Sequence, residues 1–114
     1  SGADEIEAMM KRYRETPHTE IAGFKVTHIN DFSTLKSYDL LENETISLDM
    51  PTTSNVLQYF TEDGTKVSIR PSGTEPKIKY YIEVHSKVKG LDELEAADAA
   101  AIAKIEEIKK FFGI

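Results

Sequence analysis

The chain of 114 residues contains no cysteine. This excludes a disulfide scaffold, a thiolate metal site and a cysteine nucleophile, and it suits a reducing cytoplasm, the location expected here. No apolar run approaches the roughly 20 residues of a membrane-spanning helix, and no charged-then-apolar leader opens the chain. A soluble protein with no membrane partner is expected. Positive charge is also in short supply: 14 Lys and Arg stand against 20 Asp and Glu, a net charge of -6. A nucleic-acid partner would want a broad positive face, so general nucleic-acid binding is not expected. The first three residues, Ser1, Gly2 and Ala3, are small and start without methionine. Residues 1–3 therefore read as an expression scar, and residues 4–114 as one domain with one core.

What is present is regular patterning. Ile6, Met9, Met10 and Tyr13 recur at helical spacing, with Asp4 as the expected cap and Pro17 as the stop. Phe24, Val26 and His28 alternate with Lys25 and Thr27, and Ile46, Leu48 and Met50 with Ser47 and Asp49, which predicts two half-buried strands. Between them, residues 30–43 read as a surface loop with room for a short helix. Val56–Phe60 and Lys66–Arg70 flank a turn containing Gly64, a hairpin signature. A strand follows from Lys77 to about His85, with Ile78, Tyr80, Ile82 and Val84 facing the core. After Gly90, a stripe of Leu91, Leu94, Ala97, Ala101, Ile105, Ile108 and Phe112 predicts a closing helix, opened by a capping box of Asp92 and Glu95 and ended at Gly113. The sum is an α+β fold: an antiparallel sheet of four to five strands covered on one face by helices.

Charge is unevenly placed along this frame. Between Lys66 and Lys89, six bases face two acids, a local balance of +4 in an acidic chain. Within that stretch lies Arg70-Pro71-Ser72-Gly73-Thr74-Glu75-Pro76-Lys77. It offers a guanidinium fork, two hydroxyls and backbone N–H groups around a glycine, the convergent donors a dianionic phosphate requires. Pro71 and Pro76 stiffen both ends and lower the entropy lost on ordering around an anion. Strand alternation puts Arg70 opposite Val67 and Ile69 and puts Lys77 and Lys79 on the polar face of the next strand, so three cations are expected around one loop. Glu75 would repel a phosphate and is expected to point away and order a lysine or loop N–H groups. The bland alternative, a Pro-Ser-Gly turn between two strands, lacks a reason for cations at both ends.

The run from Arg70 through Tyr81 resembles the phosphate-binding loop in the last domain of the α-D-phosphohexomutases, the phosphoglucomutase/phosphomannomutase family. The likeness covers about the last 60 residues well and residues 1–50 in layout only. It implies the TBP-like C-terminal domain fold of that family, at the end of a larger multidomain isomerase. It implies that Arg70, Ser72 and Thr74 contact a substrate phosphate through side chains and Gly73 through its backbone, with Lys79 as a second basic ligand and Lys77 as a weaker one. The partners implied are a hexose phosphate of glucose or mannose, its bisphosphate intermediate, and other domains of the same chain. The family uses an active-site phosphoserine and an aspartate-bound Mg²⁺, and the clamp holds the phosphate that is not reacting. No serine loop of the Thr-Ala-Ser-His-Asn-Pro type, Asp-Gly-Asp metal loop or Gly-Glu-Glu sugar loop occurs in this sequence. The domain alone is thus expected to have no catalytic residue, no cofactor and no activity, with Mg²⁺ belonging to the full-length enzyme.

Other residues are assigned structural uses. His18, His28 and His85 lack ligand-spaced carboxylates and are expected at surface or strand positions. Asp31, Asp39, Glu42, Glu44 and Asp49 read as a solvated face, Glu62 and Asp63 as turn residues, and Tyr81 as a structural neighbour of the lysines. The competing function is a noncatalytic anion-binding module for nucleic acid or an acidic partner.

Overall fold

A computed structural model describes residues 1–85, 90 and 94–114. Helix α1 spans Gly2–Glu15 and helix α2 spans Leu94–Phe112; between them run β1 (Glu20–Ile21), β2 (Phe24–Asp31), β3 (Lys36–Asp39), β4 (Glu44–Ser47), β5 (Leu57–Thr61), β6 (Lys66–Pro71) and β7 (Ile78–Glu83). The strands pair antiparallel in the order β4-β3-β2-β5-β6-β7, with β1 paired to β2. The architecture is the α+β one expected, but the sheet has seven strands. The additions are β1 and β3, and β3 replaces the loop and short helix expected within residues 30–43.

Helix α1 begins one turn earlier than Asp4. The Ser1 hydroxyl accepts the Asp4 N–H at 3.3 Å and the Asp4 carboxylate accepts from the Ser1 backbone nitrogen at 3.4 Å, a capping box that makes Ser1 the cap and Asp4 its third helical residue. The helix buries Met10 and ends where the Thr16 N–H reaches the Arg12 carbonyl, just before Pro17. The expected capping box of Asp92 and Glu95, and Leu91 of the stripe, involve positions outside the described residues. Downstream, the stripe holds at Ala97, Ala101, Ile105, Ile108 and Phe112, whereas Leu94 is exposed. Gly113, at φ +75°, closes α2: its N–H bonds to the Lys110 carbonyl and that of Ile114 to Lys109, so two orphan carbonyls are satisfied.

Both helices cover one face of the sheet. Met10 of α1 and Ile108 of α2 join Ile21, Val26, Ile29, Leu57, Tyr59, Val67 and Ile69 in one buried cluster. Each such aliphatic side chain contributes about 1.5–3 kcal/mol on leaving water. Tyr59 is fully buried, and its hydroxyl donates to the Tyr13 carbonyl at 2.7 Å. Tyr80, Ile82 and Val84 pack at the margin of this core. His18 is half-buried: its ring sits 5.0–6.0 Å from those of Tyr13, Tyr59, Phe111 and Phe112, and this partial burial lowers its pKa.

The faces of β2 do not follow simple alternation. Val26 pairs with Thr61 and His28 with Phe60, so Thr27 is an extra residue, a bulge. Beyond it, Ile29 and Asp31 turn inward and His28 turns outward. Asp31 is therefore buried rather than part of a solvated face; it accepts the Arg14 Nε–H at 3.1 Å and the Ser33 hydroxyl at 2.7 Å. His28 acquires a carboxylate neighbour through strand pairing, with Nε2 3.4 Å from Asp39. Strand β4 is an exposed edge, not half-buried, and leaves Ile46 62% exposed.

The β5–β6 hairpin forms as expected, with Phe60 paired to Lys66 and Gly64 at φ +85°. Asp63 accepts from Thr61, Thr65 and Lys104, tying the turn to α2. Burial alone would raise the Asp63 pKa, but the lysine and the hydroxyls outweigh it and lower the pKa.

Candidate functional site

The uncovered face of the sheet is polar. Cross-strand pairing aligns Ser37, Asn30, Gln58 and Ser68 in a row across β3, β2, β5 and β6. The Ser37 hydroxyl donates to the Asn30 carbonyl oxygen at 2.6 Å, the Asn30 amide to Gln58 at 3.4 Å, and the Gln58 amide to Ser68 at 3.2 Å. Ser68 pairs across to Tyr81, and Arg70 pairs across to Lys79, so this row adjoins the basic residues at the β6–β7 end.

The loop itself connects β6 to β7. The Ser72 N–H bonds to the Lys77 carbonyl at 2.8 Å and the Lys77 N–H to the Glu75 carbonyl at 2.8 Å, which closes a narrow turn between the strands. Inside it the Ser72 hydroxyl oxygen accepts the N–H groups of Thr74 and Glu75 at 3.3 and 3.2 Å. Four loop N–H groups, those of Ser72, Thr74, Glu75 and Lys77, are thus engaged internally. The Gly73 N–H and the Thr74 hydroxyl have no partner among the described residues, and the Ser72 hydroxyl keeps its own proton to donate. A Cβ placed on Gly73 would meet nothing within 4 Å, so the approach to this backbone is open.

The loop and α1 frame an open recess of about 430 Å³ lined by Ala3, Ile6 and residues 71–76. A Cβ on Gly2 would lie 2.7 Å from the Pro76 side chain, so the first turn of α1 is packed tightly behind the loop.

The cations are distributed differently from expectation. Lys77 pairs with Glu75 at 3.6 Å, and Glu75, expected to point away from the loop, lines the recess with Ser72, Gly73 and Thr74. Arg70 and Lys79 share the open face, but the Arg70 guanidinium lies against Tyr81, donating from Nε at 3.3 Å and from Nη2 at 3.0 Å. Its central carbon is 5.5 Å from the centre of the Tyr81 ring. Arg70, Lys77 and Lys79 do not line the recess with Ser72, Gly73 and Thr74, so the three cations do not close around one loop. Tyr81 is the site residue that sequence reasoning missed; the alternation of β7 already put it on the face of Lys79. Its hydroxyl pKa is lowered, first by the Arg70 hydrogen bond, against weak desolvation, with the charges of Arg70 and Lys79 adding to the effect.

Among the described residues, no group of three or more His, Asp or Glu side chains is clustered as a metal site. No described helix is long and apolar enough to cross a membrane.

Comparison with known proteins gives this geometry a family. Residues 5–107 match the family described as phosphoglucomutase/phosphomannomutase, C-terminal domain. A phosphoglucomutase of Staphylococcus aureus (strain MRSA252) is 41% identical over 83 residues, covering 73% of this chain and 15% of the relative. Another from Staphylococcus aureus (strain MSSA476) is 38% identical over 93 residues, covering 82% of this chain and 16% of the relative. A phosphoglucomutase of Staphylococcus epidermidis (strain ATCC 12228 / FDA PCI 1200) is 40% identical over 83 residues, with 73% and 15% covered. The chain thus spans about one-sixth of the length of these relatives. No solved structure matches the chain significantly. With nearly the whole chain inside the family match, and with relatives about 40% identical across most of it, this protein belongs to the phosphoglucomutase/phosphomannomutase family as a C-terminal domain.

Proposed function

We propose that this domain clamps the non-reacting phosphate of a hexose phosphate while a larger enzyme moves a phosphoryl group between C1 and C6. The observation that carries the reading is the loop at residues 72–74: a Gly73 N–H and a Thr74 hydroxyl without a partner among the described residues, and the Ser72 hydroxyl proton, at one open turn in a chain of this family. The Thr74 and Glu75 N–H bonds to Ser72 are long and solvent-exposed. An incoming phosphate oxygen can replace them at small cost, because a charged acceptor binds an N–H about twice as strongly as a hydroxyl does. Arg70 and Lys79 supply the compensating charge, and Lys77 is the weaker candidate because Glu75 already neutralises it.

The domain contributes binding and orientation rather than bond making. Remote phosphate contacts hold the sugar against a reactive centre elsewhere and help exclude water from it. The phosphoserine chemistry and any Mg²⁺ belong to other domains of the same protein, and the isolated domain is inactive. Glucose or mannose phosphates and their bisphosphate are the substrates of this reading, and the cytoplasm is its setting.

Amide NMR titration with glucose 1-phosphate tests it. The Ser72, Gly73 and Thr74 signals should move together and saturate, and Arg70→Ala should weaken binding about tenfold or more, since one charge-assisted bond contributes about 1.5–3 kcal/mol. Unmoved amides well above about millimolar ligand would end the proposal.

A further inference from the structure

We propose that Tyr81 is a positioning residue for the Arg70 fork, a role that rests on the phosphate-clamp reading. A guanidinium carries five N–H donors in a fixed plane. Tyr81 takes the Nε–H and one Nη2–H, the side edge of that plane, at 3.3 and 3.0 Å. The end edge, formed by Nη1 and the second Nη2–H, has no partner among the described residues, and its spacing suits two oxygens of one phosphate.

The restraint matters because Arg70 is exposed and has no carboxylate partner within ion-pair distance among the described residues. An unrestrained arginine loses considerable rotamer freedom on binding, and a fork held in plane loses less. The Tyr81 ring adds a second restraint, with the guanidinium carbon 5.5 Å from its centre. Lys79, cross-strand to Arg70, also has no carboxylate partner among the described residues. Tyr81 itself is 45% exposed and outside the buried core, so changing its hydroxyl should leave folding intact.

Glucose 1-phosphate binding to four forms of the chain tests this: wild type, Tyr81→Phe, Arg70→Ala and the double variant. Removing only the hydroxyl should weaken binding about threefold to tenfold, the range of one ordinary hydrogen bond, with an unchanged thermal midpoint. In the Arg70→Ala background the same change should have no further effect, because the group being positioned is gone. The phenol gives a second readout. Arg70 and Lys79 are the charges that lower its pKa, so saturation with phosphate should raise the Tyr81 pKa by offsetting them. Unchanged or tighter binding by Tyr81→Phe overturns the positioning role, as does an equal loss in both backgrounds. Failure of Arg70→Ala to weaken binding would instead remove the clamp on which this role depends.

Discussion

The two faces of the sheet use the same strands for opposite purposes. On the covered face, Ile29, Leu57, Tyr59, Val67 and Ile69 are at most 5% exposed and pack against both helices. On the other, Ser37, Asn30, Gln58 and Ser68 form a hydrogen-bonded row that leads to Arg70, Lys79 and Tyr81. Successive residues therefore differ sharply in role: Ile69 is fully buried and Arg70, next to it, is exposed. Stability is concentrated on one side and the proposed ligand chemistry on the other. Substitution of a residue should thus report its face more than its position along the chain.

Neighbouring substitutions can break that comparison. Ile69→Ala should lower the unfolding free energy by about 3 kcal/mol, within the usual range for emptying a packed aliphatic site, while the folded fraction keeps its phosphate affinity. Arg70→Ala should do the reverse, changing stability by less than about 0.5 kcal/mol while weakening phosphate binding about tenfold. Denaturant melts paired with phosphate titrations separate the two, and a shared loss in both assays would erase the distinction. Residues 31 and 30 repeat the contrast at smaller scale. Asp31→Asn should cost about 2 kcal/mol, less than for a fully buried ion pair because its partner Arg14 is 20% exposed. Asn30→Ala, on the polar row, should cost only about 0.5–1 kcal/mol in the same melts.

The smallest effect is a pH dependence from the covered side. Burial lowers the His18 pKa below its ordinary 6.5, so the folded chain resists a proton that the unfolded chain accepts. Stability from neutral His18 is present above about pH 6.5 and declines as the pH falls below it. Melts at about pH 7.5 and about pH 5.5 should show the loss in the wild type and a reduced loss in His18→Gln. An identical pH dependence in that variant would assign the loss to other groups.

The parts of this fold that are legible in the sequence are those whose periodicity and turn chemistry agree. The β5–β6 hairpin has Gly64 at the required positive φ, β7 alternates from Tyr80 to Glu83, and α2 keeps its stripe from Ala97 to Phe112. The illegible parts place atypical residues in left-handed turns. Ala22 at φ +50° precedes Gly23 between β1 and β2, and Leu35 at φ +55° closes the turn into β3. Neither residue advertises a turn, so local pattern hides β1 and disguises β3 as loop. Asp31 and His28 escape the sequence for a different reason: their partners, Arg14 and Asp39, are joined to them only by packing and strand pairing. At the candidate site, the residue types from Arg70 to Lys79 are legible, since donors and turn formers cluster there. The lean of Arg70 onto Tyr81 is not, because it depends on a side-chain torsion and a cross-strand neighbour rather than on local pattern.

The bulge at Thr27 works like a punctuation mark whose removal changes the sense of the rest of the strand. If Thr27 were kept but drawn into the ladder opposite Phe60, each later residue would move to the other face, turning Ile29 and Asp31 toward water and His28 and Asn30 inward. The extra residue, by staying out of the ladder, keeps the inward face of the downstream strand in step with β5.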